Sequence, residues 1–268
     1  MFIVVNKSAK TKFSKQLRPN KTIYQISLQF HFIRLAVREL IFTQDKQGYR
    51  YNIDTFLLFD FASSAKFKGR VLDVGCGCGI VGILLKENFP NIELSLLDIM
   101  QQNCDLSKRN LAQNALQARV ICADFADFKS DEKFDFIISN PPFYRQGALQ
   151  SENELVKAGK SSHSLSLSSF INASNALLKP NGTLCFCYEV GALQELCTLL
   201  SGAKLKLTRL KFVHTNTRQR ARLVLVETKK GSKSPCELQN PLFVYENDEL
   251  SAKMQEIYTT IKVKSVDL

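Results

Sequence analysis

Three glycines at alternate positions, set between a short apolar strand pattern and an apolar helical pattern, constrain this chain more than any other feature. Val71-Leu72-Asp73-Val74-Gly75-Cys76-Gly77-Cys78-Gly79-Ile80 reads as a buried strand running into a sharp turn. The helical pattern that follows carries Ile80, Val81, Ile83, Leu84 and Leu85 and stops near Asn88 to Pro90. Glycine lets the backbone turn sharply there and approach a ligand closely. Glu93 to Ile99 is a second apolar strand, and near its end stands an acid, Asp98. Nucleotide-binding βαβ units place a ribose-binding carboxylate roughly twenty residues after the glycines. The order strand, glycines, helix, strand, acid favours a ligand site over a plain tight turn.

The alternation continues. Arg119 to Ala123 is a third strand, followed by Asp124. Phe134 to Ser139 (FDFIIS) is a fourth, and Asn140-Pro141-Pro142-Phe143 follows at its carboxyl end. The two prolines fix their own φ and restrict the residue before each, so this loop is stiff without help from packing. Its amide oxygen and carbonyls can accept both hydrogens of an amino group, and its ring can stack on a planar base. That set suits transfer to an exocyclic or amide nitrogen, although Asn and Pro are also ordinary turn residues. Gly75 to Gly79, Asp98, Asp124 and Asn140 all fall at the carboxyl ends of successive strands. Their convergence predicts one site at the switch point of a doubly wound, mostly parallel α/β sheet.

Other elements follow from periodicity. Helices are expected over Phe56 to Ala62, Gln101 to Asn114 and Leu165 to Leu178, with a fifth strand over Thr183 to Tyr188. Lys204 to Val213 and Arg222 to Thr228 read as a terminal antiparallel pair, and Glu249 to Ile261 as a closing helix. Gln25 to Phe42 is either a helix or a strand-helix piece. Three parts are expected: a basic extension and lid over residues 1–60, a core over 61–230, and a C-terminal extension over 231–268 that packs on the core.

The charge is segregated. Residues 1–38 hold eight Lys and Arg and no acid, and residues 204–233 hold ten with one acid, Glu227. These two segments carry a net +17 while the remainder carries −6, within a total of +11. A chain that keeps its positive charge in two blocks, with Phe13, Tyr24, Phe30 and Phe212 interleaved, is suited to meet nucleic acid. No run approaches a membrane span, and the eight cysteines at this length point to a reducing compartment. A soluble, cytoplasmic monomer is expected. Cys76/Cys78 and Cys185/Cys187 have no zinc-ligand spacing, and only His31, His163 and His214 accompany them, so no metal site is expected.

The D-x-G-x-G-x-G run resembles the first motif of class I S-adenosylmethionine-dependent methyltransferases, and the core is similar to their small-domain members that carry N-P-P-[FY]. Within these the chain most resembles the tRNA valine adenine-N6-methyltransferases, which modify the adenine just 3′ of the anticodon. The resemblance covers roughly residues 45 to 230. It rests on Gly48-Tyr49-Arg50-Tyr51-Asn52-Ile53-Asp54-Thr55-Phe56-Leu57-Leu58, on Lys157-Ala158-Gly159-Lys160-Ser161-Ser162-His163-Ser164-Leu165-Ser166-Leu167, and on the strand from Arg222 to Lys230. The family usually has NPPY, whereas this chain has NPPFY, so Tyr144 can share the aromatic role.

The resemblance implies a seven-stranded sheet with a terminal antiparallel strand, S-adenosyl-L-methionine as cofactor and tRNA as partner. It implies a catalytic set of Asn140, Pro141, Pro142 and Phe143, and a cofactor set of Asp54, Asp73, Gly75, Gly77, Gly79, Asp98, Asp124 and Asn140. Phe125 would border the adenine ring of the cofactor. His163 is an RNA contact or a base. A guanine amine of ribosomal RNA and the amide of a protein glutamine are the alternative acceptors.

Overall fold

The computed structural model describes residues 38–45, 51–141 and 165–268. They fall within one unit, Val37–Leu268. Strand β1 (Leu40–Gln44) leads to helix α1 (Ile53–Ser63), and then strands and helices alternate. They are β2 (Arg70–Val74), α2 (Ile80–Asn88), β3 (Glu93–Asp98), α3 (Gln101–Gln113), β4 (Arg119–Cys122), β5 (Phe134–Ser139), α4 (Leu167–Leu177) and β6 (Leu178–Glu189). Next come α5 (Leu193–Gly202), β7 (Leu205–His214) and β8 (Ala221–Lys230), then short strands β9 (Glu237–Leu238), β10 (Leu242–Phe243), β11 (Tyr245–Glu246) and β12 (Glu249–Leu250). The last elements are α6 (Ala252–Thr260) and β13 (Val263–Asp267).

Seven strands form the main sheet in the order β7-β8-β6-β5-β2-β3-β4, and two-residue β9 and β10 both pair with the outer side of β7. The expected seven strands are therefore present, with two short additions. Strand β8 is antiparallel to both β6 and β7, and the other neighbours in the seven are parallel. Connections run outward from β2 in both directions, so the switch point lies beside β2, where a doubly wound sheet binds its ligand. Among the described residues no helix is long and apolar enough to cross a membrane.

The central strands are apolar at nearly every position because helices cover both faces. Alternate side chains go to opposite layers. Val71, Leu94, Leu96, Phe136, Ile138, Cys185, Cys187, Leu223 and Leu225 join α1, α2, α3 and α6 in one core. Leu72, Val74, Leu97, Ile137, Leu184, Phe186, Val224 and Val226 join α4 and α5 in the other. Both cysteines of the Cys185/Cys187 pair thus face one layer, as the period of two requires.

Away from the main sheet, β1 and β13 are among the strands outside the expectation. Residues 40–44 form β1, where a helix or strand-helix piece over Gln25 to Phe42 was the reading; residues 25–37 of that piece lie outside the described residues. β1 pairs in parallel with β13, Leu40 opposite Val263 through Gln44 opposite Asp267. Its other edge is held by side chains of α3. Asn110 Oδ1 accepts from Thr43 N at 2.8 Å and its Nδ2 donates to Thr43 O at 3.1 Å. Asn114 repeats the pattern on Ile41, at 2.9 and 2.7 Å. Two asparagines one helical turn apart thus stand in for a neighbouring strand and satisfy a backbone that would otherwise be buried unpaired.

The basic block over residues 204–233 is less of a free surface than its composition implies. Arg209 is buried, stacks 4.2 Å over the Phe61 ring and pairs with Glu227 at 2.6 Å. Lys230 donates to the carbonyls of Asn175 and Leu178, at 2.6 and 3.2 Å. Arg222 pairs with Asp54. The exposed bases that remain include Lys206, Arg218, Arg220 and Lys229.

Candidate active site

The carboxyl edge of the parallel strands carries the glycine loop, Asp98, Asp124 and Asn140 together. The loop begins at Gly75, which has φ +64° and nothing within 4 Å of where a Cβ would stand. A left-handed residue with open space above it is a backbone shelf on which a ligand can lie directly. Gly77 N donates to Asp98 Oδ2 at 2.9 Å, which ties the loop to the end of β3. Gly79, at φ +83°, starts α2 and offers no capping side chain.

Asp73 supplies the missing cap from inside the sheet. It is buried, and its Oδ2 accepts from Gly82 N, in the first turn of α2, at 2.8 Å. The contact is close: a Cβ at Gly82 would stand 2.4 Å from Leu96 Cδ2 and 3.1 Å from Asp73 Oδ2, so a larger residue would displace one or both. Asp73 therefore lies beneath the loop and shapes it, where the sequence reading counted it among the cofactor residues. Burial raises its pKa to about 7 from 3.8, partly offset by the Gly82 hydrogen bond, and Asp98 adds to the rise. The folded protein thus holds this proton more tightly than the unfolded chain does. Stability from Asp73 is complete below about pH 4 and is lost as the pH rises through about 7. Asp73→Asn keeps an acceptor for Gly82 and cannot ionise. Its melting temperature relative to wild type is expected to climb between about pH 4 and about pH 8, and parallel curves would contradict this.

Asp98 is buried and fully oriented. Its Oδ1 accepts from Met100 N at 2.9 Å and Asn103 Nδ2 at 3.1 Å, while Oδ2 holds Gly77 N. A carboxylate offers about four acceptor positions, so one on Oδ2 remains for a hydroxyl. The next two side chains, Ile99 and Met100, are 43% and 52% exposed and give an apolar shelf beside the carboxylate. Phe125, expected to border an adenine ring, is buried instead and packs against Phe170 at 5.9 Å. Asp124 Oδ1 accepts from Ala126 N at 2.8 Å, which makes it a turn acid with its second oxygen clear of that bond. Open Gly75, oriented Asp98 and the Ile99/Met100 shelf fit a ribose that carries a flat base.

Helix α3 braces the loop from behind. Ser107 Oγ donates to Gly77 O at 2.9 Å and Asn110 Nδ2 donates to Cys78 O at 2.9 Å. Ser107, Asn110 and Asn114 fall at helical spacing alongside Cys104 and Leu111. That stripe of small polar residues among apolar ones was the available signal for their role.

Asn140 is half-buried at the end of β5, and its carboxamide is held on both sides. Nδ2 donates to Thr55 Oγ1 at 3.2 Å, and Oδ1 accepts from Cys187 Sγ at 2.9 Å. Cys187 is buried in β6, and burial, with the Asp54 charge adding, pushes its pKa well above the ordinary thiol value. It therefore stays a protonated donor. Asp54, expected on the cofactor, is bound by both Nη atoms of Arg222. Pro141 follows Asn140 at the same edge. Pro142, Phe143, Tyr144 and His163 lie outside the described residues.

The model of the methyltransferase small domain family matches residues 50–191. A ribosomal RNA small subunit methyltransferase C from Actinobacillus pleuropneumoniae is 44% identical over 89 residues, which is 33% of this chain and 26% of that protein. The chain spans about a quarter of the length of the curated relatives it matches. A predicted O-methyltransferase from Agrobacterium tumefaciens superposes with a TM-score of 0.61 at 18% identity, covering 81% of this chain and all of that one. A putative class I S-adenosylmethionine-dependent methyltransferase from Listeria monocytogenes gives 0.54 at 16% identity over 90% of this chain and 77% of its own. The architecture is the class I methyltransferase fold.

Proposed function

The chain belongs to the methyltransferase small domain family, and from that premise we propose that it uses S-adenosylmethionine to methylate the exocyclic amine of a guanine in small-subunit ribosomal RNA. The observation that carries the chemistry is the carboxamide of Asn140, held by Thr55 and Cys187 at the strand edge that also carries Gly75 and Asp98. The likeness to ribosomal RNA small subunit methyltransferases C favours ribosomal RNA over tRNA, and of the acceptors weighed on the sequence the ribosomal one is a guanine amine. The Asn-Pro-Pro loop itself does not separate them. Adenine N6 and guanine N2 are both amines whose lone pair is delocalised into the ring.

S-adenosylmethionine, when bound, supplies a methyl group on a sulfonium. Gly75 provides its backbone shelf, Asp98 accepts from a ribose hydroxyl, and Asp124 with Ile99 and Met100 takes the adenine. Asn140 Oδ1, oriented by Cys187, and the Pro141 carbonyl accept the two hydrogens of the acceptor amine and turn its nitrogen lone pair toward the methyl. Positioning and preorganised dipoles therefore carry the rate, and the proton leaves to solvent after transfer. The base must leave its stack to reach this edge. Phe143 is assigned its stacking partner on the sequence.

The test is to incubate the full chain and labelled cofactor with transcripts of small-subunit ribosomal RNA and of valine tRNA, and to digest both to nucleosides. N2-methylguanosine from the ribosomal transcript is expected. N6-methyladenosine from the tRNA would restore the adenine reading, and label in protein alone would overturn the RNA reading.

The RNA path has a structural pointer. β7 ends at the same edge as β5, so the β7–β8 turn stands beside the site and carries exposed Arg218 and Arg220. Asn216 Oδ1 accepts from Arg218 N, and His214 Nδ1 meets Gln219 O, both at 3.0 Å, which braces the turn. Arg218→Ala with Arg220→Ala is expected to weaken RNA binding and lower the slope of log K against log salt by about 2, one per lost phosphate contact. Cofactor affinity should not change. An unaltered slope would place the RNA elsewhere.

A further inference from the structure

Asp54 and Arg222 are bonded to each other beside the amine-binding asparagine, and the mechanism above leaves them unused. Arg222 Nη1 reaches Asp54 Oδ2 at 3.2 Å and Nη2 reaches Oδ1, so the fork grips both carboxylate oxygens. The Asp54 side chain is 7% exposed and that of Arg222 is 38% exposed. The carboxylate is thus mostly covered with a small part open, and the guanidinium emerges beside it at the surface. Thr55, next in the chain, holds Asn140. Arg222 stands one residue before Leu223, which pairs with Glu189 at the carboxyl end of β6. Asp54, in the first turn of α1, is therefore bonded to Arg222, and the residue after it holds Asn140.

Arg222, Asp54 and Asn140 read as donor, acceptor, acceptor. A guanidinium has five N–H groups and two serve Asp54, which leaves three. A carboxylate has about four acceptor positions and Arg222 takes two. Asn140 offers an oxygen. The Watson–Crick edge of guanine is the complement: O6 accepts, N1–H donates and the N2 amine donates. Cytosine reads guanine with the same sequence of groups. Adenine offers no match, because its N1 carries no hydrogen for Asp54 and its C2–H offers Arg222 nothing.

Resting on the guanine reading above, we infer that Arg222 and Asp54 form a cytosine-like reading edge that selects the base. Arg222 donates to O6, Asp54 accepts from N1–H, and the N2 amine thereby falls on Asn140. Arg222 is then a specificity-determining residue, and Asp54 both reads the base and positions Arg222.

The experiment uses the full chain and a small-subunit ribosomal RNA transcript in which about half of the guanosine is replaced by 6-thioguanosine, whose sulfur is a poor acceptor. One digest gives the methylated forms of both nucleosides, and their ratio does not depend on how much enzyme is active. Wild type is expected to prefer guanosine by about tenfold or more, the usual scale for a bidentate base contact. Arg222→Ala should bring the ratio close to one. Because that change strands the Asp54 charge, Arg222→Ala with Asp54→Asn is measured beside it and should also lose the preference. A variant that keeps the wild-type ratio would overturn the inference and leave Arg222 as a brace for Asp54. So would a wild type that makes N2-methylguanosine and treats both bases alike. A wild type that makes no N2-methylguanosine at all would overturn the guanine reading and this inference with it.

Discussion

Replacing Asn140 by alanine is expected to lower methyl transfer by about 10²-fold or more while cofactor affinity stays close to wild type. The size follows from removing one preorganised polar group aimed at the reacting centre. The separation of effects follows from geometry. The bonds from Asn140 to Thr55 and Cys187 lie on the side toward β6, whereas the shelf at Gly75 and the carboxylate of Asp98 lie toward β3. Single-turnover rates with saturating cofactor, read beside calorimetry, check both halves. A variant that methylates RNA at nearly the wild-type rate would reduce Asn-Pro-Pro to a turn.

Asp98→Ala is expected to act in the opposite way, with cofactor affinity falling by about 10²-fold. The charged hydrogen bond to a ribose hydroxyl is worth about 1.5–3 kcal/mol. A second loss comes from the loop, since Gly77 N, Met100 N and Asn103 Nδ2 all lose their acceptor. The shelf at Gly75 then has no fixed height. Calorimetry with S-adenosylmethionine and with its demethylated product gives the answer, and undiminished binding would remove Asp98 from the site.

The sheet was legible because its strands are short apolar runs bounded by glycine, proline and acids, and because helices such as α3 and α4 are periodic while α1 is a largely apolar run. The edge elements were not. β1 and β13 each carry five residues with no clean alternation, and each is defined by a partner more than two hundred residues away. The site was legible where single residues carry the chemistry. Asp98 and Asn140 stand where strand-end logic puts them. Asp73 was counted with the cofactor residues but lies beneath the loop, since nothing in the sequence says that a carboxylate two residues before Gly75 will turn toward Gly82. Arg209 and Arg222 counted as surface charge because a charge census cannot see Glu227, Phe61 or Asp54 fold over them. Cys187 was invisible as a partner of Asn140, because a cysteine in a strand looks like any small apolar residue.

The side-chain ladder from α3 to β1 has a consequence for the newborn chain. Asn110 and Asn114 can grip one edge of β1 as soon as α3 forms, but the opposite edge waits for β13. About 150 residues must be made in between, and at about 5–20 residues per second that takes roughly eight to thirty seconds. For that interval the edge of β1 lacks its β13 partner, and an uncovered edge is a template on which chains pair with one another. The asparagines leave one edge to guard instead of two, and the burden on chaperones falls on that single edge until translation passes residue 267.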